Sequence, residues 1–291
     1  MSNLESSYTK ILNTLHQVEP QKNFLNQIRT PKLSDIELIA INITSEYLGI
    51  DSERDLFNKL PQYLLDKIER TVYNRRKRGL FLYIEQVRKK MAEAMIGDDK
   101  HFVIDSMPLE VCKMSRAARS TICKEDMNSS PNHGYCASQK MSFYGYKLHS
   151  VCSSAGVFKS FDLTPANVHD IHYLNDVKEQ LKSCYLIGDK GYLSHSIQLD
   201  LFETREIRLE VPMRKNQFNF RKMHWILSRT RKRIETLFSQ LCDQFMIRRN
   251  YAKTFDGFKS RILSKLTALT VIQFINHSEN RNINNLKIKI A

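Results

Sequence analysis

Three acidic side chains stand where carboxylates could do metal chemistry. Asp105 follows the apolar run Phe102-Val103-Ile104, and Asp189 follows Tyr185-Leu186-Ile187 and Gly188. Short apolar runs of this kind read as strands, so each aspartate is expected near a strand end, with Pro108 stopping the first. In α/β sheets, ligand sites gather at the carboxyl ends of strands. A carboxylate is costly to bury unless it is paired or holds a metal. Gly188 and Gly191 flank Asp189 and permit a tight turn there. Glu235 is the third candidate, in the run Arg229-Thr230-Arg231-Lys232-Arg233-Ile234-Glu235. Arg231, four residues back on the same helix face, offers Glu235 an ordinary surface ion pair as the alternative to catalysis.

The six cysteines, Cys112, Cys123, Cys136, Cys152, Cys184 and Cys242, include no CxxC pair and read as reduced thiols. His133 and Cys136 have a metal-like local spacing, but no four-ligand zinc pattern accompanies them.

The elements that must position these residues fall into two parts. Residues 1–97 read as helical: Ser34 and Glu37 have capping-box spacing, and Leu38, Ile41 and Leu48 suggest a buried stripe. Leu56, Leu60, Leu64 and Ile68 recur through a second stretch broken at Pro61. A third begins near Tyr73 and carries Arg75, Arg76, Lys77 and Arg78. This basic run reads either as a DNA contact of a small helical module or as a solvated turn.

From His101 the pattern changes to short strands, with a hairpin over Tyr144–Val151 and Val157–Leu163. A helix through Leu174 and Val177, the Asp189 strand, a helix through Leu201 and a strand near Leu209 follow. Residues 109–142 read as an irregular insertion. A long helix over 222–245 carries Ile226, Ile234, Leu237, Phe238, Leu241 and Phe245 on its apolar side, and a last one follows from Phe258 to Ile272. The order predicts a mixed α/β domain over 98–275 and a frayed polar tail over 276–291.

Charge points to a polyanionic partner. The net charge is +14, yet residues 1–200 carry 26 basic and 24 acidic side chains while residues 201–291 carry 19 and 7. A surplus this localised favours a polyanionic partner, with a solubility feature or a membrane-facing patch as the alternatives. Lys190, Arg214, Lys215, Arg221 and Lys222 are candidate phosphate contacts, and Arg231 would orient Glu235 or touch a phosphate. The first ten residues lack the apolar core of a signal peptide, and no apolar run is long enough to span a membrane. A cytoplasmic location is therefore expected.

The runs Phe102-Val103-Ile104-Asp105-Ser106-Met107-Pro108, Tyr185-Leu186-Ile187-Gly188-Asp189-Lys190-Gly191-Tyr192 and Arg231-Lys232-Arg233-Ile234-Glu235-Thr236-Leu237-Phe238 resemble the three acidic blocks of bacterial insertion-sequence transposases of the DDE type. Gly145-Tyr146-Lys147-Leu148-His149 and Leu163 to Asp170 resemble further blocks, so His149 and His169 become candidate pocket residues; as isolated histidines, packing roles would be the default. The resemblance implies a ribonuclease-H-like mixed-sheet core behind a helical, possibly DNA-end-binding, N-terminal domain. It implies Asp105, Asp189 and Glu235 as a triad holding Mg²⁺, with Mn²⁺ as substitute, and two ions about 3.5–4 Å apart. Asp105 would bridge both ions, with Asp189 and Glu235 each completing one shell. It implies double-stranded DNA, as terminal inverted repeats and target, and a homodimer or larger assembly on that DNA, nucleoid-associated when bound. In many relatives a Tyr precedes the Arg by three positions and a Lys follows the Glu by seven; here those positions are Ser228 and Cys242. The competing functions are a metal-dependent nuclease without strand transfer and a catalytically idle DNA-binding protein. RNA binding rests on charge alone, without an aromatic recognition motif.

Overall fold

A computed structural model describes residues 3–287 and 290, apart from 27, 138, 215 and 217–219. The chain forms two compact units, one of Met1–Met95 with Gln240–Ala291 and one of Ile96–Ser239.

The first unit is helical. Its N-terminal part holds α1 (Asn3–Val18), α2 (Asp35–Tyr47), α3 (Glu53–Lys59), α4 (Gln62–Leu65), α5 (Arg70–Gly79) and α6 (Phe81–Ile96). Pro61 separates α3 from α4, as its missing N–H requires. Ser34 caps α2 as a full capping box: its Oγ accepts from the Glu37 N–H, and its own N–H donates to Glu37 Oε2 at 2.8 Å. α2 is buried nearly all round, Ile36, Leu38, Ile39, Ile41 and Ile43 included, which marks it as a central helix, not a surface one with a single stripe.

α10 (Phe255–Ser278), expected within the α/β domain, belongs to this helical unit. Asn42 on α2 donates to Ser264 on α10 at 2.7 Å, and Lys265 donates to Glu46 at 2.6 Å. The tail expected to fray is tied down: Asn276 donates to Asn285 O at 2.9 Å, Gln240 to Asn284 O at 2.9 Å, and Leu286 is buried.

The second unit is a mixed sheet with helices. Its strands are β1 (His101–Cys112), β2 (Asn132–Cys136), β3 (Met141–Ser153), β4 (Phe158–Pro165), β5 (Cys184–Ile187) and β6 (Ile207–Glu210). The spatial order is β2-β3-β1-β5-β6, with β4 paired to β3 beyond β2. β1–β3 and β3–β4 are antiparallel, while β1–β5 and β5–β6 are parallel. α7 (Tyr173–Gln180) precedes β5, α8 (His195–Arg205) connects β5 to β6, and α9 (Trp225–Asp243) follows.

Two expectations change here. The stretch 109–142 is not wholly irregular: β1 runs to Cys112, a short 3₁₀ turn covers Met114–Arg119, and β2 pairs with β3. Nor does Pro108 stop β1. Lys100 O accepts from Tyr185 N on the β5 side and His101 O from Ser154 N on the β3 side, so backbone groups of even-numbered residues face β5. The β1–β5 pairing ends at Val103–Ile187, leaving no neighbour that needs an N–H from Pro108. Asp105 is therefore mid-strand, two residues past the last parallel pair.

Candidate active site

Parallel register sets the two aspartates side by side. Val103 pairs with Ile187, so Asp105 and Asp189, each two positions further, share a sheet face where β5 gives way to a turn. Asp105 lies opposite Ser150 of β3. Its Oδ1 accepts from the Ser106 N–H at 2.8 Å. Asp189 caps a single 3₁₀ turn, Lys190–Tyr192, with Oδ1 accepting from the Gly191 N–H at 2.7 Å. Gly188 is needed for contact: a Cβ there would meet the Tyr192 ring at 3.1 Å and Ile104 Cγ2 at 3.2 Å.

Glu235, on α9, lies within electrostatic range of Asp105. The helix buries Ile234, Leu237, Phe238 and Leu241, and that burial orients its neighbouring exposed face. Ile226, expected on the apolar side, is exposed with Trp225, because the buried stripe begins further along. Glu235 is half-exposed and accepts an ion pair from Arg231 Nη1 at 2.9 Å.

The electrostatics join the three carboxylates. Burial pushes the Asp105 carboxyl up to about 7, with Asp189 and Glu235 adding to the shift while the Ser106 N–H and Arg231 oppose it. Among the described residues no three His, Cys, Asp or Glu side chains stand close enough to hold one metal ion. The donors are nonetheless all oxygen, and a buried carboxyl raised by like-charged neighbours is one that a cation would relieve. Glu235 would have to exchange Arg231 for that cation.

Other expected site residues divide sharply. Lys190, Arg214, Arg221 and Lys222 are exposed, and Lys215 lies outside the described residues. Arg75 is exposed and Arg78 bonds Asn74 Oδ1, but Arg76 and Lys77 are not available for DNA as expected. Arg76 pairs with buried Asp35 at 2.6 Å, and Lys77 pairs with Glu53 at 2.6 Å. Buried Asp35 holds Arg76 and half-buried Glu53 holds Lys77.

His149 is also corrected. It is fully buried on β3 opposite Ser106, on the face away from Asp105, with Nε2 2.8 Å from Thr164 Oγ1. Burial pushes its imidazole down to about 4, with Asp170 opposing and Lys147 adding to the shift. His169 is exposed and caps a 3₁₀ turn at Asp170–His172.

Two residues that the sequence patterns did not single out belong to the surroundings. Ser150, opposite Asp105, is buried with no hydrogen-bond partner for its hydroxyl among the described residues. Tyr192 is buried within electrostatic range of Asp170, Asp105 and Asp189, its phenol held well above the usual value chiefly by burial. Tyr192 stood inside a quoted block, but only tertiary packing reveals that it supports the Asp189 turn.

A mixed curled sheet carrying strand-borne aspartates and a helix-borne glutamate, after a helical N-terminal region, is a ribonuclease-H-like architecture. The family model for the transposase DDE domain matches residues 96–271, and the chain belongs to that family. A search among curated proteins gives no match. Membership makes DNA the substrate class and transposase-type nucleotidyl transfer the activity class, and such enzymes work with divalent metal ions. Among the described residues no helix is long and apolar enough to cross a membrane.

Proposed function

We propose that the chain cleaves DNA at the ends of an insertion sequence and joins the freed ends to target DNA, with Asp105, Asp189 and Glu235 as the catalytic and metal-binding carboxylates. The observation that carries this reading is the parallel register ending at Val103–Ile187, with Asp105 and Asp189 each two residues beyond it, in a chain of the DDE family. Mg²⁺, replaceable by Mn²⁺ and bound as two ions, would polarise the scissile phosphate and acidify the attacking oxygen. Asp105 and Asp189 would hold the cation, and Glu235 would join them on leaving Arg231.

In the first step water attacks the phosphodiester, breaking the P–O3′ bond to leave a 3′-hydroxyl and a 5′-phosphate. In the second the 3′-hydroxyl displaces a 3′-oxygen in target DNA, so one phosphodiester forms for each one broken. Exposed Lys190, Arg214, Arg221 and Lys222 are the proposed phosphate contacts, with Lys215 proposed from the sequence alone. Residues 1–97 are proposed to contribute to end binding. Bringing two ends together asks for a dimer or larger assembly, working in the bacterial cytoplasm.

The joining step separates this reading from a simple nuclease. Given pre-cleaved ends of the element, target DNA and Mg²⁺, the protein is expected to yield covalently joined products. Nicks without joined products would establish the nuclease instead, and binding without turnover an idle DNA-binding protein.

A further inference from the structure

The helical unit contains a cavity of about 520 Å³ bounded by the start of α3, by α5 and by the turn entering α10. Its size lies within the roughly 300–1,000 Å³ of pockets that take a small ligand or a single extruded group. Its carboxylates are already engaged. Glu46 holds Lys265 at 2.6 Å, Glu53 holds Lys77 at 2.6 Å, and Asp51 faces Arg249 and Arg261, each at 3.5 Å.

Other cations on the same wall are not held in ion pairs. Arg54, Arg70 and Lys253 are exposed and form no ion pair among the described residues. Arg78 donates to Asn74 Oδ1 and lies within electrostatic range of Glu53 without forming an ion pair with it. Six cationic residues against three acidic ones line this concavity, and that surplus attracts an anion. The Tyr251 ring, 66% exposed on the same lining, offers an aromatic face beside that charge. Thr254 caps the N-terminus of the 24-residue α10 in the same wall, adding the positive end of a helix dipole.

From this geometry we infer that the cavity is a DNA-binding subsite that takes a backbone phosphate between Arg54, Arg70, Arg78 and Lys253 and stacks the adjoining base on Tyr251. Cations supply sequence-independent affinity for the phosphate, and an aromatic face accepts any base. The inference rests on the reading that this chain acts on DNA. It also relocates the contacts expected from the Arg75–Arg78 run: of that run's cations not held by a carboxylate, only Arg78 lines the cavity.

The test uses the full-length protein, the double variant Arg70→Gln/Lys253→Gln and, separately, Tyr251→Leu. Affinity for duplex DNA carrying the element ends with a short unpaired overhang is measured over about 50–300 mM salt, where each lost phosphate contact flattens the log–log salt slope by about 0.9. The double variant is expected to bind roughly tenfold or more weakly with a slope shallower by nearly two. Tyr251→Leu is expected to bind about five- to tenfold more weakly with its slope unchanged. Both substitutions fall on exposed side chains, and thermal unfolding of each variant confirms that the fold is intact. Wild-type affinity and slope in the double variant would overturn the subsite, as would be expected if the cavity served an acidic protein partner. Mg²⁺-dependent cleavage is measured on the same preparations. Wild-type protein that binds with the expected cavity dependence yet never cleaves would contradict the catalytic reading and leave the subsite standing. Failure of the wild type to bind DNA at all would overturn both.

Discussion

At the residue scale, the proposed chemistry centres on Asp105. In the folded chain its carboxyl is pushed up to about 7 from an ordinary 3.8, by burial first and by neighbouring carboxylates next. Between those values the native state holds a proton that the unfolded chain has released. The stability linked to this proton is fully present below pH 3.8 and is lost as pH rises through 7. Asp105→Asn cannot ionise, so without metal its melting temperature should exceed that of the wild type at about pH 8 by several degrees, and the gap should narrow as pH falls below 7 and close only near the unfolded value of 3.8. Mg²⁺ at the higher pH should raise the wild-type midpoint and leave the variant nearly unmoved. Parallel melting curves for the two proteins would contradict the assigned electrostatics. Asp189 was the most legible residue, because an apolar run ending in Gly-Asp-Lys-Gly announces both strand and turn. His149 was misleading: its block is real, but sheet parity, which needs the pairing partner, sends its ring to the opposite face.

At the element scale, local signals succeeded where an element is determined by its own residues. The capping box at Ser34, the break at Pro61 and the β3–β4 hairpin all follow from short-range chemistry. They failed where a distant strand decides. Pro108 reads as a terminator, yet β1 continues because β5 is too short to need the missing N–H. β2 is invisible in a polar stretch because its pairing with β3 is what makes it a strand. The basic run on α5 shows the same limit. Arg76 ties α5 to α2 through Asp35, whose other oxygen accepts from the Phe24 and Leu25 N–H groups at 2.9 Å each. Arg76→Ala would leave that buried carboxylate without its cation and should cost about 3–5 kcal/mol in denaturant unfolding. The folded fraction of the variant should bind DNA with wild-type affinity. Unchanged stability together with weakened DNA binding would restore Arg76 as a DNA contact.

At the scale of the whole molecule, the uneven charge has a structural distribution. Residues 211–250 carry 10 basic and 2 acidic side chains, and one of the two is Glu235. Several of these cations are exposed in the α/β unit, while the cations of the helical unit are partly consumed by internal pairs and partly left around one cavity. Charge counting detected the polyanion but could not tell a structural arginine from a free one, since that depends on which carboxylate folds against it. Likewise α10 follows the catalytic motifs in sequence yet completes the helical core, through contacts with a helix more than 200 positions earlier. The most direct test of the central claim is cleavage of DNA carrying the element's inverted repeats in Mg²⁺ by the wild-type protein and by Asp105→Asn. The account predicts specific cleavage by the wild type, with the variant binding the ends and cleaving at least about 10³-fold more slowly, an order expected when a principal electrostatic stabiliser is removed. Wild-type cleavage rates in Asp105→Asn would contradict it.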